Sequence, residues 1–398
     1  MDHPKTLNPF VLGGVVTGRR FAGRASEIAR LRALAAAGQH AYLFAPRRYG
    51  KTSLLREAFA WPGRAAHPSL VWCDCLPTVD ARRLAQRVGE AVTLACRRGR
   101  PSEWIKAAAS LFKRLRPALS VGAEGDVHVT LEVARTATGP LPDLEDALAA
   151  IQRLAESQLH PIVLVFDEFQ QVAEWDSHHQ TEAVIRTAVQ QFRRVACVFA
   201  GSQRHLLQQM FADRARPLLK LAAPFPLARL TRDELEPWLV QRFGDTGQEL
   251  DREAADAILW TAAGHPWATQ YLAHFVWEKA VARSARRVTA AIVSEGLGEA
   301  QRASGTVYAA EYSALTVAQR RVLLAIASEP TSAPTAAAYL ARQDLPAKST
   351  TSQALRSLLE KGYLENQDGQ YLVSDPLLGE WLRRQHEVTA TARPVTDT

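Results

Sequence analysis

The chain has 398 residues, 47% of them hydrophobic and 22% charged, with a net charge of +7. That length exceeds what one core usually organises, so two or three domains are expected, and the composition excludes fibrous and disordered classes. The opening MDHPKTLNPF has no basic stretch ahead of an apolar core, and no apolar run reaches the ~18 residues of a membrane span, so a cytoplasmic protein with no membrane partner is expected. Four cysteines, with Cys73 and Cys75 alternating along an expected strand, fit neither a disulfide framework nor a zinc site, and reduced, buried thiols are expected.

Positive charge is unevenly placed. Residues 1–64 carry eleven Lys or Arg against three acids, residues 97–116 carry seven against one, and residues 311–398 carry nine against ten. A polyanion would therefore be sought on the first two-thirds of the chain.

Short apolar runs predict strands at 41–45, 70–75, 161–169, 194–201 and 225–230. Helix-period segments lie between them, TSLLREAFA, ARRLAQRVGEAVTLACRRG, LEDALAAIQRLAESQ and TEAVIRTAVQQFRR. Alternation of the two predicts an α/β fold, a parallel sheet covered on both faces in three αβα layers. PALSVGAEGDVHVTLEVA reads as two alternating strands about a Gly-Asp turn, a β-hairpin inserted near 117–135.

After residue 230 the strands stop. Thr231 and Glu234 stand at capping-box spacing ahead of a helix, and DREAADAILWTAAG and HPWATQYLAHFVWEKAVA are also helical, which predicts a helical domain over 231–310. From 311 to 388, three helices and a Gly-tipped hairpin outline a winged helix-turn-helix, followed by a polar tail at 389–398.

Between the first expected strand and helix lies APRRYGKT, residues Ala45, Pro46, Arg47, Arg48, Tyr49, Gly50, Lys51 and Thr52, followed by Ser53. A P-loop puts a turn of backbone N–H groups and a helix N-terminus around phosphate, with the Lys on the β and γ phosphates and the hydroxyl on Mg2+. Ala45 stands where the first Gly of that motif belongs. The strand PIVLVFDEF ends in Asp167-Glu168, and two acids at the end of a doubly buried strand need a reason. In an ATP site Asp167 holds Mg2+ with Thr52, and Glu168 deprotonates the attacking water. The next strand ends in Ser202-Gln203, where Ser202 either senses the γ-phosphate or caps the following helix.

These motifs together resemble the archaeal-type ATPase family, P-loop ATPases of the AAA+ and STAND-related group. The resemblance covers almost the whole chain, through NPFVLGGVVTGRRFAGRASEI, PRRYGKTSLL, LRPALSVGAEGDVHVTLE, VLVFDEFQ, FAGSQRHLLQQMF, RPLL, AAGHPWATQYLAHFVW and YLVSDPLLGEWLRR. It implies Walker A and Walker B roles for Lys51, Thr52, Asp167 and Glu168, and a place beside the adenosine for Phe21, Gly23 and Arg24. It also implies that the turn Gly264-His265-Pro266 touches nucleotide; read alone, that turn is an ordinary helix break.

Arg214 and Arg216 occupy the region where ring-forming relatives carry an arginine finger, although a surface position is the simpler reading. Arg47 and Arg48 contact phosphate or merely line the loop. His178 and His179 form no metal constellation. In the winged helix, Ser349, Thr350, Thr351, Ser352, Gln353 and Arg356 could donate to DNA, yet the module is near neutral and tight duplex binding draws on phosphate neutralisation. Trp104 and Phe112, among the cations of 97–116, read equally as packing residues or base-stacking platforms.

Two functions follow: a slow, Mg2+-dependent ATPase switch or motor that engages a protein partner or a second copy of itself, or a DNA-associated ATPase.

Overall fold

A computed structural model describes residues 7–60, 68–96, 101–113, 115–121, 127–133, 139–157 and 160–391. The chain divides into two compact units. One comprises Ala25–Ala45 and Leu54–Leu227; the other comprises the residues up to Arg24, Pro46–Ser53 and everything from Ala228 onward.

The first unit is an α/β layer structure. In chain order it holds α1 (Ala25–Ala36), β1 (Ala41–Phe44), most of α2 (Lys51–Phe59), β2 (Ser69–Asp74), α3 (Ala81–Ala95), α4 (Pro101–Leu111), β3 (Leu115–Val121), β4 (Val127–Val133), α5 (Pro140–Ser157), β5 (Ile162–Asp167), α6 (Gln171–Trp175), α7 (Gln180–Gln191), β6 (Val195–Gly201), α8 (Arg204–Ala212) and β7 (Ala223–Pro226). Five strands make one parallel sheet in the order β2-β5-β6-β1-β7. Every residue of β1, β5 and β6 is buried, as expected for strands covered on both faces.

The expected hairpin is present, with β3 and β4 antiparallel from Leu115↔Val133 to Val121↔Val127. β7 departs from expectation, running over Ala223–Pro226 rather than 225–230. Pro224 and Pro226 lack N–H groups, and the strand is an edge paired only to β1, where prolines are tolerated. Phe166, Phe169, Phe199 and Phe211 form the aromatic centre of the core, with Phe169 and Phe199 ring centroids 4.8 Å apart.

The second unit is mostly helical: α9 (Arg232–Gly244), β8 (Glu249–Leu250), α10 (Arg252–Ala262), α11 (Pro266–Ala282), β9 (Arg287–Val288), α12 (Ala290–Ser313), α13 (Val317–Ser328), α14 (Ala337–Arg342), α15 (Lys348–Glu360), β10 (Leu364–Gln367), β11 (Gln370–Val373) and α16 (Pro376–Thr391). The capping box at Thr231 and Glu234 is formed as its spacing predicts. The last part, α13 to α16 with the β10–β11 hairpin, is the winged helix. α16 runs three residues into the expected polar tail; 392–398 lie outside the described residues.

One core runs through this unit and includes the N-terminal segment, because Phe10 packs on Trp238 and Phe243. The polar atoms of that segment are held as well. Asn8 Nδ2 donates to the His274 carbonyl at 3.2 Å, and Gln270 accepts from Val11 N at 3.2 Å while donating to the Arg20 carbonyl at 2.8 Å.

Candidate nucleotide site

The glycine-lysine turn takes two left-handed residues, Arg48 at φ 66° and Gly50 at φ 78°. Alternation of this kind turns successive N–H groups inward, the geometry of an anion nest. Ala45 is not among the residues with positive φ, so the position where the motif has its first glycine needs no glycine here. Lys51 opens α2, is buried, and donates from Nζ to the Pro46 carbonyl at 3.1 Å. Ser53 is also buried, and its Oγ accepts from Val16 N at 3.0 Å, which fixes the N-terminal segment against the turn.

Within the same unit a pocket of about 380 Å³ is lined by this turn (Arg48, Tyr49, Gly50, Ser53), by the N-terminal segment (including Phe21 and Arg24) and by the helices (Trp238, Pro266, Trp267, Gln270). Its apolar walls and few arginines fit a flat, anionic ligand, and its volume lies in the range of small-molecule sites. Gly23 and Arg24 are both left-handed, at φ 60° and 66°. A Cβ on residue 23 would come within 2.8 Å of Glu234, so only glycine fits there. Arg24 is buried; its N–H donates to Glu234 Oε1 at 2.7 Å and its guanidinium to the Ala228 carbonyl at 2.6 Å.

The turn Gly264-His265-Pro266 serves two ends. It starts α11, with Pro266 in the first turn and His265 Nδ1 accepting from Ala268 N at 3.2 Å. Its ring also stands edge-on to Tyr49, centroids 4.9 Å apart. Burial, then the charges of Arg229 and Arg48, pull the His265 pKa down to about 3, so the ring is neutral and accepts at Nδ1. Any contact it makes with a phosphate is made as a dipole, not as a cation.

Tyr49 is buried, and its hydroxyl donates to Glu365 Oε2 on the wing strand β10. Arg229 completes a triad: Nε donates to the Tyr49 oxygen at 3.1 Å and to Glu365 Oε1 at 2.8 Å, and Nη2 to the Val373 carbonyl at 3.1 Å. Burial pushes the phenol's pKa up, with Arg229 opposing and Glu365 adding to the rise. Arg48 lies over the Trp267 ring at 4.2 Å and reaches Asp375 Oδ2 at 3.3 Å. Asp375 also takes the Leu377 N–H at 3.0 Å, and its burial raises its pKa against the pull of Arg48. Arg47 is exposed.

In the α/β unit, β5 delivers Asp167 and Glu168 to the C-terminal edge of the sheet. Glu168 is left-handed at φ 50°, an uncommon conformation for a residue with a side chain. Ser202, just past β6, donates from Oγ to Glu168 Oε2 at 2.7 Å. It does not cap α8, whose N-cap Gln203 makes no capping bond. Asp74 on β2 is the register partner of Asp167 and adds a third carboxylate at the same edge, one that no motif in the sequence singles out.

Among the other candidates, Arg216 is not a surface arginine: it forms a buried ion pair with Glu182, which has no exposed side-chain surface. A guanidinium so committed is a structural partner. Arg214 is exposed, and His179 stands 3.7 Å from Glu182. On α15, Thr351 is buried and donates to the Pro346 carbonyl, and Ser352 donates to the Lys348 carbonyl, which leaves Ser349, Thr350, Gln353 and Arg356 exposed. Phe112 is a buried packing residue; residues 97–100 and the side chain of Trp104 lie outside the described residues.

Residues 35–211 match the family described as AAA domain, and residues 306–384 match a probable winged helix domain. The Walker-type ATPase of Pyrococcus abyssi is similar in structure, with a TM-score of 0.63 and 17% identity over 94% of this chain and 99% of that one. The ORC2 protein of Aeropyrum pernix, solved in ADPNP–ADP complexes, gives 0.51 and 13% over 93% and 95%. Identities this low establish the fold alone. No curated protein matches the sequence significantly. The chain thus carries an AAA domain followed by a C-terminal winged helix domain, on a P-loop NTPase-like fold. Among the described residues no helix is long and apolar enough to cross a membrane.

Proposed function

We propose that this protein hydrolyses ATP with Mg2+ and uses the nucleotide state to change the arrangement of its helical (231–310) and winged-helix (311–388) domains about an ATPase core (1–230). The observation that carries hydrolysis is Glu168, held in a left-handed conformation at the end of a buried strand with its carboxylate on Ser202. A general base needs a carboxylate held in place, and a left-handed residue with a side chain is a conformation that clusters at functional sites.

Each residue has a task in this reading. The nest at 48–50 and the N-terminus of α2 receive phosphate oxygens, and Lys51 neutralises them. Phe21, Gly23 and Arg24, with Pro266 and the neutral His265, enclose the adenosine. Thr52 and Asp167 are the hard oxygen donors that would hold Mg2+, which when bound screens the phosphate charge. Glu168 takes the proton of the attacking water, and Ser202 fixes its carboxylate.

The switch is supported by the Tyr49–Arg229–Glu365 triad, which joins the phosphate turn to the wing. The second reading, duplex DNA on α15, is favoured by the exposed Ser349, Thr350, Gln353 and Arg356. Steady-state ATP turnover of the wild type and Glu168→Gln tests the first: turnover falls ~10²-fold or more while ATP binding persists. Equal rates would remove Glu168 from the chemistry.

A further inference from the structure

We infer that Gln170 is a positioning residue for the base, clasping Glu168 together with Ser202; this rests on the reading of Glu168 as the general base. Gln170 is buried, at 3% exposure, in the turn between β5 and α6. Its Nε2 donates to Glu168 Oε2 at 2.6 Å, the same oxygen that accepts from Ser202, and lies 3.4 Å from Ser202 Oγ. A carboxylate oxygen only accepts, so the amide must turn its NH2 group toward Glu168. Its Oε1 is then committed to the opposite side, where it is buried and makes no hydrogen bond.

A buried acceptor left unpaired is costly and calls for an explanation. Local structure supplies none, because Gln170 stands at the N-cap of α6 yet its side chain caps nothing. The surroundings are instead shaped to admit it. A Cβ on residue 201 would come within 2.1 Å of Gln170 Oε1, so Gly201 leaves the space in which the amide lies. The turn itself is anchored by Phe169, whose N–H donates to the Ala200 carbonyl at 2.8 Å and whose ring is fully buried against Phe199. Two donors on one oxygen fix the plane of the carboxylate, and hence the direction of its other oxygen. One donor alone would hold it less firmly.

Steady-state turnover, ATP-analogue affinity and thermal unfolding of the full-length Gln170→Leu protein test this, alone and combined with Glu168→Gln. Turnover is expected to fall about tenfold or more at unchanged analogue affinity, with no further loss in the Glu168→Gln background, because the amide acts through that carboxylate. Should Gln170→Leu fail to fold, Gln170→Met, of equal length, gives the same comparison. Wild-type turnover, or an equal loss in the Glu168→Gln background, would overturn the assignment. Identical rates for wild type and Glu168→Gln would instead bring down the general-base reading, and this inference with it.

Discussion

Tyr49, in the glycine-lysine turn, donates a hydrogen bond from its hydroxyl to Glu365, 316 residues later on the wing strand, and Arg229 lies against both. The side chains of Arg229 and Glu365 are 8% and 10% exposed, so the pair is nearly desolvated. Breaking a buried pair from one side leaves a bare charge and costs about 3–5 kcal/mol, whereas one hydrogen bond is worth about 1 kcal/mol. Arg229→Ala should therefore destabilise the fold several times more than Tyr49→Phe. Denaturant unfolding of the two variants checks the order; equal losses would mean that the triad is not a charge network.

Lys51 is the buried cation of the turn, Arg47 and Arg48 being exposed, so Lys51→Ala should abolish ATP binding, measured by calorimetry or nucleotide fluorescence, without unfolding the protein. Retained affinity would show that the turn is not the phosphate cradle.

How much of this was legible follows from how local each signal was. The strands other than β7, the capping box, the glycine-lysine turn and the Asp-Glu pair are short patterns, and each forms where its residues stand. α12 was not legible, because Gly296, Gly298 and Gly305 interrupt its pattern. Gly296 is there for packing: a Cβ would fall 2.8 Å from the backbone of Val276 on α11. Glu365 and Arg229 carried no signal, being 136 residues apart with nothing in either neighbourhood to mark a partner. Thr351 looked like a DNA donor, but helical phase turns it into the core. Arg216 looked exposed, yet it neutralises a buried acid that the sequence does not pair with it.

Two glycines separate backbone strain from collision. Gly50 and Gly264 are both left-handed, at φ 78° and 75°, but a Cβ at 50 meets nothing within 4 Å, whereas at 264 it lies 2.4 Å from the Leu230 carbonyl oxygen. Gly50→Ala should cost about 1–2 kcal/mol, the left-handed penalty alone. Gly264→Ala adds a backbone clash and should cost clearly more, and it should weaken nucleotide binding by displacing His265. Thermal unfolding of both decides it; similar midpoints would mean that the 264 turn relaxes easily.

His265 makes stability depend on pH. Its folded pKa is about 3, against an ordinary value near 6.5, so the unfolded chain binds a proton that the folded chain refuses. Its contribution is intact above pH 6.5 and is lost as pH falls toward 3, at about 1.4 kcal/mol per pH unit. His265→Asn keeps a helix cap without the titrating ring and should unfold with a shallower acid dependence between pH 6 and 4, by about one proton. An unchanged slope would place the acid sensitivity elsewhere.

The partner is decided by whether turnover responds to duplex DNA. Four exposed donors remain on α15, but the winged-helix region 311–388 has nine acids against eight basic residues, and Glu365 on the wing is paired with Arg229. Duplex affinity comes largely from phosphate neutralisation, and each contact adds to the salt dependence. A near-neutral module of this kind should leave the ATPase indifferent to duplex DNA at low and moderate salt, consistent with a wing engaged by the phosphate turn. Stimulation that fades with salt, and that Arg356→Ala weakens, would reverse this and make α15 the DNA-contacting helix.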